Sequence, residues 1–294
     1  MATYVSPFTD FGFKKFFGEE ANKDLLIDFL NELLGEKAGH ITDLVFLKTE
    51  QLDDSPLKRK AVFDIYCTNQ DGERFIVEMQ KSKQICFRDR ALYYATFPIR
   101  DQVEKGRFDY HFKKIFVICI LDFELDHTLP DPTQYRHDVK LIEEKSCCVF
   151  HETLNFVYLE MPKFTKSMAE LESRFDKWLY LIKHIHSLEQ LPDIFRDKKF
   201  IKFAQKASLT ALPEPERDAY YRSLKDYMDE RGKIDYALIT GREEGREEGL
   251  KTGREEKAIL IAKKMLSQDF TIAQISALTG LEEAQVRTLQ QNNQ

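Results

Sequence analysis

Residues 61–80, AVFDIYCTNQDGERFIVEMQ, carry the side chains best placed to do chemistry. If Gln70, Asp71 and Gly72 form a three-residue hairpin loop with the glycine in the left-handed region, Asn69 faces Glu73 and Asp64 lies opposite Glu78. Directly opposed residues hold their Cβ atoms about 4.5 to 5.5 Å apart, so two carboxylates stand side by side and repel. Strand alternation adds Gln80 to their face and turns Phe63, Ile65, Phe75, Val77 and Met79 the other way, into a core. A divalent cation between the acids is the simplest physical reason to tolerate the pair, and oxygen ligands with open positions suit Mg2+ or Mn2+. An ordinary hairpin with one solvated polar face has the same spacing.

The next segment adds positive charge. From 81 to 114 there are nine Lys/Arg (81, 83, 88, 90, 100, 105, 107, 113, 114) against four Asp/Glu (89, 101, 104, 109), a local +5 in a chain of net charge -6. Lys81, Lys83, Arg88, Arg90, Tyr93 and Tyr94 thus offer cations for phosphates and rings for stacking beside the two acids, as a phosphodiester substrate requires. A solvated helix face with core tyrosines has the same composition.

The elements that must position these residues follow from periodicity. Leu25, Leu26, Phe29, Leu30, Leu33 and Leu34 mark an amphipathic helix ending at Gly35. Ile41 to Leu47, Lys60 to Cys67 and Arg74 to Gln80 read as strands. A helix follows with Ile85, Leu92, Ala95, Ile99 and Val103 on one face and a kink at Pro98. Ile115 to Leu121 is an unbroken apolar run, as for a central strand covered on both sides. The order is helix, three strands, helix, strand: a layered α/β arrangement.

From about Met161 the pattern turns helical, with Leu171, Phe175, Trp178, Leu179, Ile182 and Ile185 on one stripe, a second helix over Phe200 to Leu209, and a third from Tyr220 to Met228 after a break at Pro213 and Pro215. The chain therefore divides into a core over 1–160, a helical lobe over 161–235, a Gly/Arg/Glu-rich connector over 236–257 and a small helical module over 258–294. The connector spaces Gly241, Gly245, Gly249 and Gly253 by four, either a solvated spacer or a stripe for close packing, and self-association into a homo-oligomer through this tail is one expectation. Ala273, Gly280 and Val286 have helix-turn-helix spacing. Glu282 and Glu283 at the head of the second helix, with Arg287 its sole exposed base, oppose DNA contact and favour a packing or self-association role.

Composition excludes other classes. With 43% hydrophobic and 32% charged residues, 44 basic against 50 acidic, the chain is neither disordered, collagen-like nor a basic nucleic-acid coat. Its longest apolar run falls far short of the roughly 20 residues of a membrane span, so no membrane partner is expected. No leader pattern is present at the N-terminus, and five cysteines without a C-x-x-C pair indicate a reducing, cytoplasmic setting, with Cys147 and Cys148 as buried thiols. His184 and His186 fall on different helix faces, and His137, His151 and Glu152 show no ligand spacing.

The strand with Asp64, the strand ending Glu78-Met79-Gln80, the helix with Tyr93-Tyr94 and the N-terminal TDFGFKKFFG resemble the PD-(D/E)XK nuclease superfamily, specifically the Rpn group of recombination-promoting nucleases and transposases. The resemblance spans roughly residues 4–235 and implies a restriction-endonuclease-like α/β core (helix, three strands, helix, strand), here extended by a C-terminal helical lobe and helical tail. It implies a Mg2+-dependent (or Mn2+-dependent) endonuclease acting on DNA, with Asp64 and Glu78 as metal-binding acids and the main-chain carbonyl of Met79 as a further ligand. Gln80 stands where the superfamily usually has lysine, and Phe63 where its name-giving proline would be. An amide orients an attacking water yet supplies no positive charge, so slow turnover is expected. A catalytically weak or inactive nuclease fold that binds DNA or protein is the alternative. Asp10, Phe13, Lys14 and Phe17 fit one face of an N-terminal anchoring helix with Asp10 near its cap, and Glu32 is available as an additional acid.

Overall fold

A computed structural model of the chain describes residues 3–51, 61–84, 86–103, 111–125 and 131–291. Lys60, Ile85, Lys105 and Arg107 of the sequence reading lie outside the described residues. Two compact units form, Met1–Glu230 and Arg231–Gln294. The first contains α1 (Asp10–Phe13), α2 (Lys23–Leu34), β1 (Leu44–Phe46), β2 (Glu50–Gln51), β3 (Ala61–Val62), β4 (Ile65–Asn69), β5 (Arg74–Gln80), α3 (Phe87–Arg100), β6 (Ile115–Leu121), β7 (Arg136–Ile142), β8 (Val149–Glu160), α4 (Arg174–His184) and α5 (Lys198–Ala207). It also contains the first turns of α6 (Glu214–Leu266).

Six strands form one mixed sheet in the order β1-β4-β5-β6-β8-β7. β1, β4 and β5 are antiparallel, β5, β6 and β8 run parallel, and β7 returns antiparallel to β8. The parallel step from β5 to β6 needs a crossover, and α3 supplies it. β6 is buried along its whole length, as its unbroken apolar run requires. One sheet face packs Ile65, Cys67, Phe75, Val77 and Met79 against α2, α4, α5 and the N-terminal segment, and the other packs Tyr66, Ile76 and Val117 against Phe87, Ala91 and Ala95 of α3. This is the expected α/β core.

Four expectations about this core are corrected. The sheet has two further strands, β7 and β8, whose charged, half-exposed sequences carry no clean alternation. The strand expected over Lys60 to Cys67 breaks at Phe63 and Asp64, and its first half, β3, pairs with β2 in a separate ribbon. Phe63 therefore joins the α3 side with Tyr66 instead of sharing a face with Ile65. On α3, Ala95 is buried but Leu92 is 54% exposed, because the buried stripe runs through Phe87, Ala91 and Ala95; Val103 lies beyond the helix and is exposed. Cys147 and Cys148 are exposed at the β7–β8 turn, where the sheet does not cover them, with Cys147 at φ 55°.

Gly35, at φ 53°, ends α2 as expected. Pro215 sits in the first turn of α6, where its missing N–H costs nothing, so the expected break is a helix start. α6 then runs continuously through the glycine-rich stretch, and nothing lies within 4 Å of an ideal Cβ at Gly241, Gly245, Gly249 or Gly253. Among the described residues that stripe packs against nothing, and the structure lends the expected self-association no support. In the second unit, α7 (Ile272–Thr279) and α8 (Glu283–Gln291) fold with the end of α6 around Ala262, Ile275, Leu281 and Val286. Gly280 makes the left-handed turn at φ 74° and Val286 faces inward as expected, whereas Ala273 is exposed and Ile275 takes the inner place one position-pair along. Among the described residues no helix is long and apolar enough to cross a membrane.

The N-terminal segment is fixed by close backbone contact. Val5 N–H donates to Ala207 O (2.7 Å), Leu209 N–H to Thr3 O (3.0 Å), and a Cβ on Gly12 would stand 2.1 Å from Ser6 O. Backbone cannot yield as a side-chain tip does. Gly12→Ala should therefore cost about 2 kcal/mol or more of folding stability, read as a lower thermal midpoint, and a midpoint equal to the parent's would refute this tight fit.

Candidate active site

The hairpin register is the expected one. β4 and β5 pair from Thr68↔Arg74 to Ile65↔Val77, Asn69 N–H donates to Glu73 O (3.1 Å), and Gly72 sits at φ 81°. The ladder stops at Ile65↔Val77, and the same register carried one step further sets Asp64 opposite Glu78. Phe63, next in register to face Met79, donates its N–H to Thr49 O instead (3.0 Å). The two acids fill the gap by bonding each other's strand: Asp64 N–H donates to Glu78 Oε1 (3.0 Å), and Met79 N–H donates to Asp64 Oδ2 (2.8 Å).

Arg74 N–H bonds Lys114 O and Asp122 N–H bonds Gln80 O, each at 2.9 Å, so even-numbered residues of β5 turn their backbone groups toward β6. Odd-numbered ones turn toward β4. The carbonyl of Met79 is consequently directed into the gap left by Phe63, on the edge where the acids meet.

The face carrying Glu78 is not solvated, contrary to the simplest reading of the hairpin. Glu78 is 6% exposed beneath α3. Burial, and next the Asp64 charge, push its pKa up to about 8. Burial also raises Asp64, against the Met79 N–H and the charges of Lys14 and Lys81, which pull it down. Two desolvated carboxylates whose proton affinity is raised form an oxygen-only donor set that a hard divalent ion would relieve. Among the described residues no group of three or more His, Cys, Asp or Glu side chains is arranged around one point.

Gln80 is held at both ends of its amide: Oε1 accepts from Arg90 Nη2, and Nε2 donates to Ser82 O (3.2 Å). Arg90 also donates from Nη1 to Gln84 Oε1 (2.7 Å) and lies over the rings of Phe87 (4.9 Å) and Tyr94 (5.6 Å). Tyr94 meets Phe63 edge-on at 5.0 Å and is half-buried, so its ring is packed and unavailable for stacking on a base. Lys81 is half-buried; Lys83 and Arg88 are exposed, and Tyr93 is 37% exposed against Phe97. Of the basic segment, Arg90, Tyr94 and Lys81 approach the acids, while Lys83, Arg88 and Tyr93 face outward.

A cleft of about 550 Å³ opens beside Asp64, walled by Asp10, Lys14, Lys15, Thr49 and Ser223 among others. Asp10 lies near the cap of α1, as expected, where Thr9 caps the helix and Lys14 Nζ pairs with Asp10 Oδ1 at 2.9 Å. The place of Asp10 and Lys14 on this cleft was not apparent from sequence, although their i, i+4 spacing in TDFGFKKFFG signals the pair. Glu32 lies 3.9 Å from Arg174 and is not among the residues that line the cleft beside Asp64. Glu160, fully buried, is satisfied by His137 Nε2 (2.6 Å), Leu125 N–H (2.8 Å) and Lys163 (3.1 Å).

A mixed sheet with Asp64 and Glu78-Met79-Gln80 at its strand ends, framed by helices on both faces, has the element order expected of the PD-(D/E)XK class. Residues 7–237 match the PD-(D/E)XK nuclease family transposase, and the chain belongs to that family. No curated protein and no solved structure matches the chain. Nucleases of this superfamily hydrolyse phosphodiesters and generally use divalent metal ions.

The raised pKa of Glu78 has a sign that can be checked. The folded protein retains a proton that the unfolded chain releases near the ordinary value of about 4.3, so folding stability falls as pH rises from there toward the folded value. In EDTA, the parent's stability against denaturant should fall between about pH 5 and 8, and Glu78→Gln should flatten that fall. An identical pH profile for both proteins would mean that Glu78 is not held as described.

Proposed function

We propose that this protein is a metal-dependent DNA endonuclease of the recombination-promoting, transposase-related type. The carrying observation is the buried Asp64–Glu78 pair, cross-bonded at the end of a β-ladder. Asp64, Glu78 and the main-chain carbonyl of Met79 would hold Mg2+ or Mn2+, which when bound acidifies a coordinated water and offsets charge on the phosphorane. The chain's own groups do the rest. Gln80 keeps a second amide N–H and a carbonyl lone pair with which to orient water while it holds Arg90. Lys81, Lys83 and Arg88 would present positive charge to the DNA backbone, and Tyr93 a ring, while Arg90 orients Gln80 and Tyr94 supports Arg90 from below. The missing lysine at position 80 is consistent with slow turnover.

The test has two readouts. With Mg2+ the parent should nick supercoiled plasmid, and Asp64→Ala and Glu78→Ala should each lower the rate at least about 100-fold. Mn2+ should raise the thermal midpoint of the parent and leave those of both variants unmoved. DNA binding without cutting, unaffected by either substitution, would establish the binding-protein alternative instead.

A further inference from the structure

Gln80 in place of lysine takes a cation out of the strand itself, and the basic residues that line the cleft beside Asp64 are Lys14 and Lys15. Arg90 is committed to Gln80, Gln84 and two aromatic rings, with its Nε buried. Lys15 is paired with both Glu19 (3.0 Å) and Glu216 (2.9 Å). Lys14 differs: it lines the same cleft as Asp64, is 47% exposed, and has the Asp10 carboxylate as its ion-pair partner. We propose that Lys14 supplies, from the N-terminal helix, the positive charge to the scissile phosphate that position 80 lacks. This rests on the nuclease reading of the site and adds a residue to it.

The position is built. Phe13, Phe16 and Phe17 are buried on the inner side of the segment, and Phe11 N–H is tied to Ser223 Oγ (3.2 Å). Gly12 presses against Ser6, and at Lys14 the helix widens into a π-type turn over Lys14–Gly18, a local geometry that recurs at functional sites. Asp10 at 2.9 Å steers the ammonium. Burial disfavours the charge of Lys14, and the Asp10 carboxylate bonded to it outweighs that and raises its pKa. The ammonium shares the cleft with Asp64, where the non-bridging oxygens of a phosphodiester bound beside that acid would meet it. Hydrolysis joins the water oxygen to phosphorus, breaks one ester bond and leaves the water's proton on the departing oxygen. Lys14 keeps its own protons and donates a hydrogen bond to the phosphorane.

Three variants judge this: Lys14→Gln, Lys14→Arg and the double variant Lys14→Gln/Gln80→Lys. Lys14→Gln should nick about 100-fold more slowly than the parent while its Mn2+-induced rise in thermal midpoint persists. Lys14→Arg should retain most of the rate, and the double variant should recover at least tenfold of the loss by returning the charge at position 80. In EDTA, the salt dependence of duplex DNA binding should lose about one unit of log–log slope in Lys14→Gln. Nicking at the parent rate in Lys14→Gln would overturn the proposal. So would a loss of nicking accompanied by loss of the Mn2+ effect, which would make Lys14 a structural support. If the parent itself does not cut, the nuclease reading fails first, and an unchanged salt slope in Lys14→Gln then removes the phosphate contact as well.

Discussion

Two carboxylates that each accept a hydrogen bond from the opposite strand are the constraint on which this structure turns. A β-ladder would ordinarily end by fraying into water. Here it ends inside the protein, because Phe63 leaves register to bond Thr49 and to pack against Tyr66 and Tyr94. That departure exposes one edge of Met79 and lets Asp64 and Glu78 replace the lost main-chain bonds with side-chain ones. The cost is two acids sharing a desolvated spot, an arrangement that folding alone does not favour and that a bound cation does.

The surrounding elements follow from that edge. The parallel strands β5 and β6 bring their carboxyl ends to the same side, where open α/β sheets place ligands. α3 closes one flank and, through Arg90 on Gln80, sets a guanidinium next to the last residue of β5. The N-terminal segment closes the other flank with Asp10 and Lys14. Positive charge thus approaches the pair from two sides, whereas the superfamily's usual lysine approaches from within the strand itself.

Much of this was legible in the sequence, and what was not has definite causes. The loop Gln70–Gly72 fixes the register locally, so the opposition of Asp64 and Glu78 followed from a glycine and two turn residues. The run Ile115–Leu121 fixed its own place because only a central strand tolerates it. By contrast, the exit of Phe63 depends on Thr49, fourteen residues upstream, and the burial of Glu78 depends on α3; neither leaves a local mark. β7 and β8 escaped because half-exposed strands with mixed charge lose the period-two signal. Pro215 read as a break because a proline near a helix start and a proline between helices look alike in sequence. The role of Lys14 was hidden for the same reason as that of Phe63: its neighbours in space are remote in the chain.

The opening turns of α6 tie down both flanks of the cleft. Tyr220 Oη accepts from Ser6 N–H, Ser223 Oγ from Phe11 N–H, Tyr227 Oη donates to Asp122, and Ser82 Oγ bonds Glu230. The first two bonds span 214 and 212 residues of chain. A polypeptide still emerging from the ribosome therefore has the hairpin of Asp64 and Glu78 long before it has the helix that steadies the cleft, so the walls of that cleft are completed only once the chain has been made as far as Glu230.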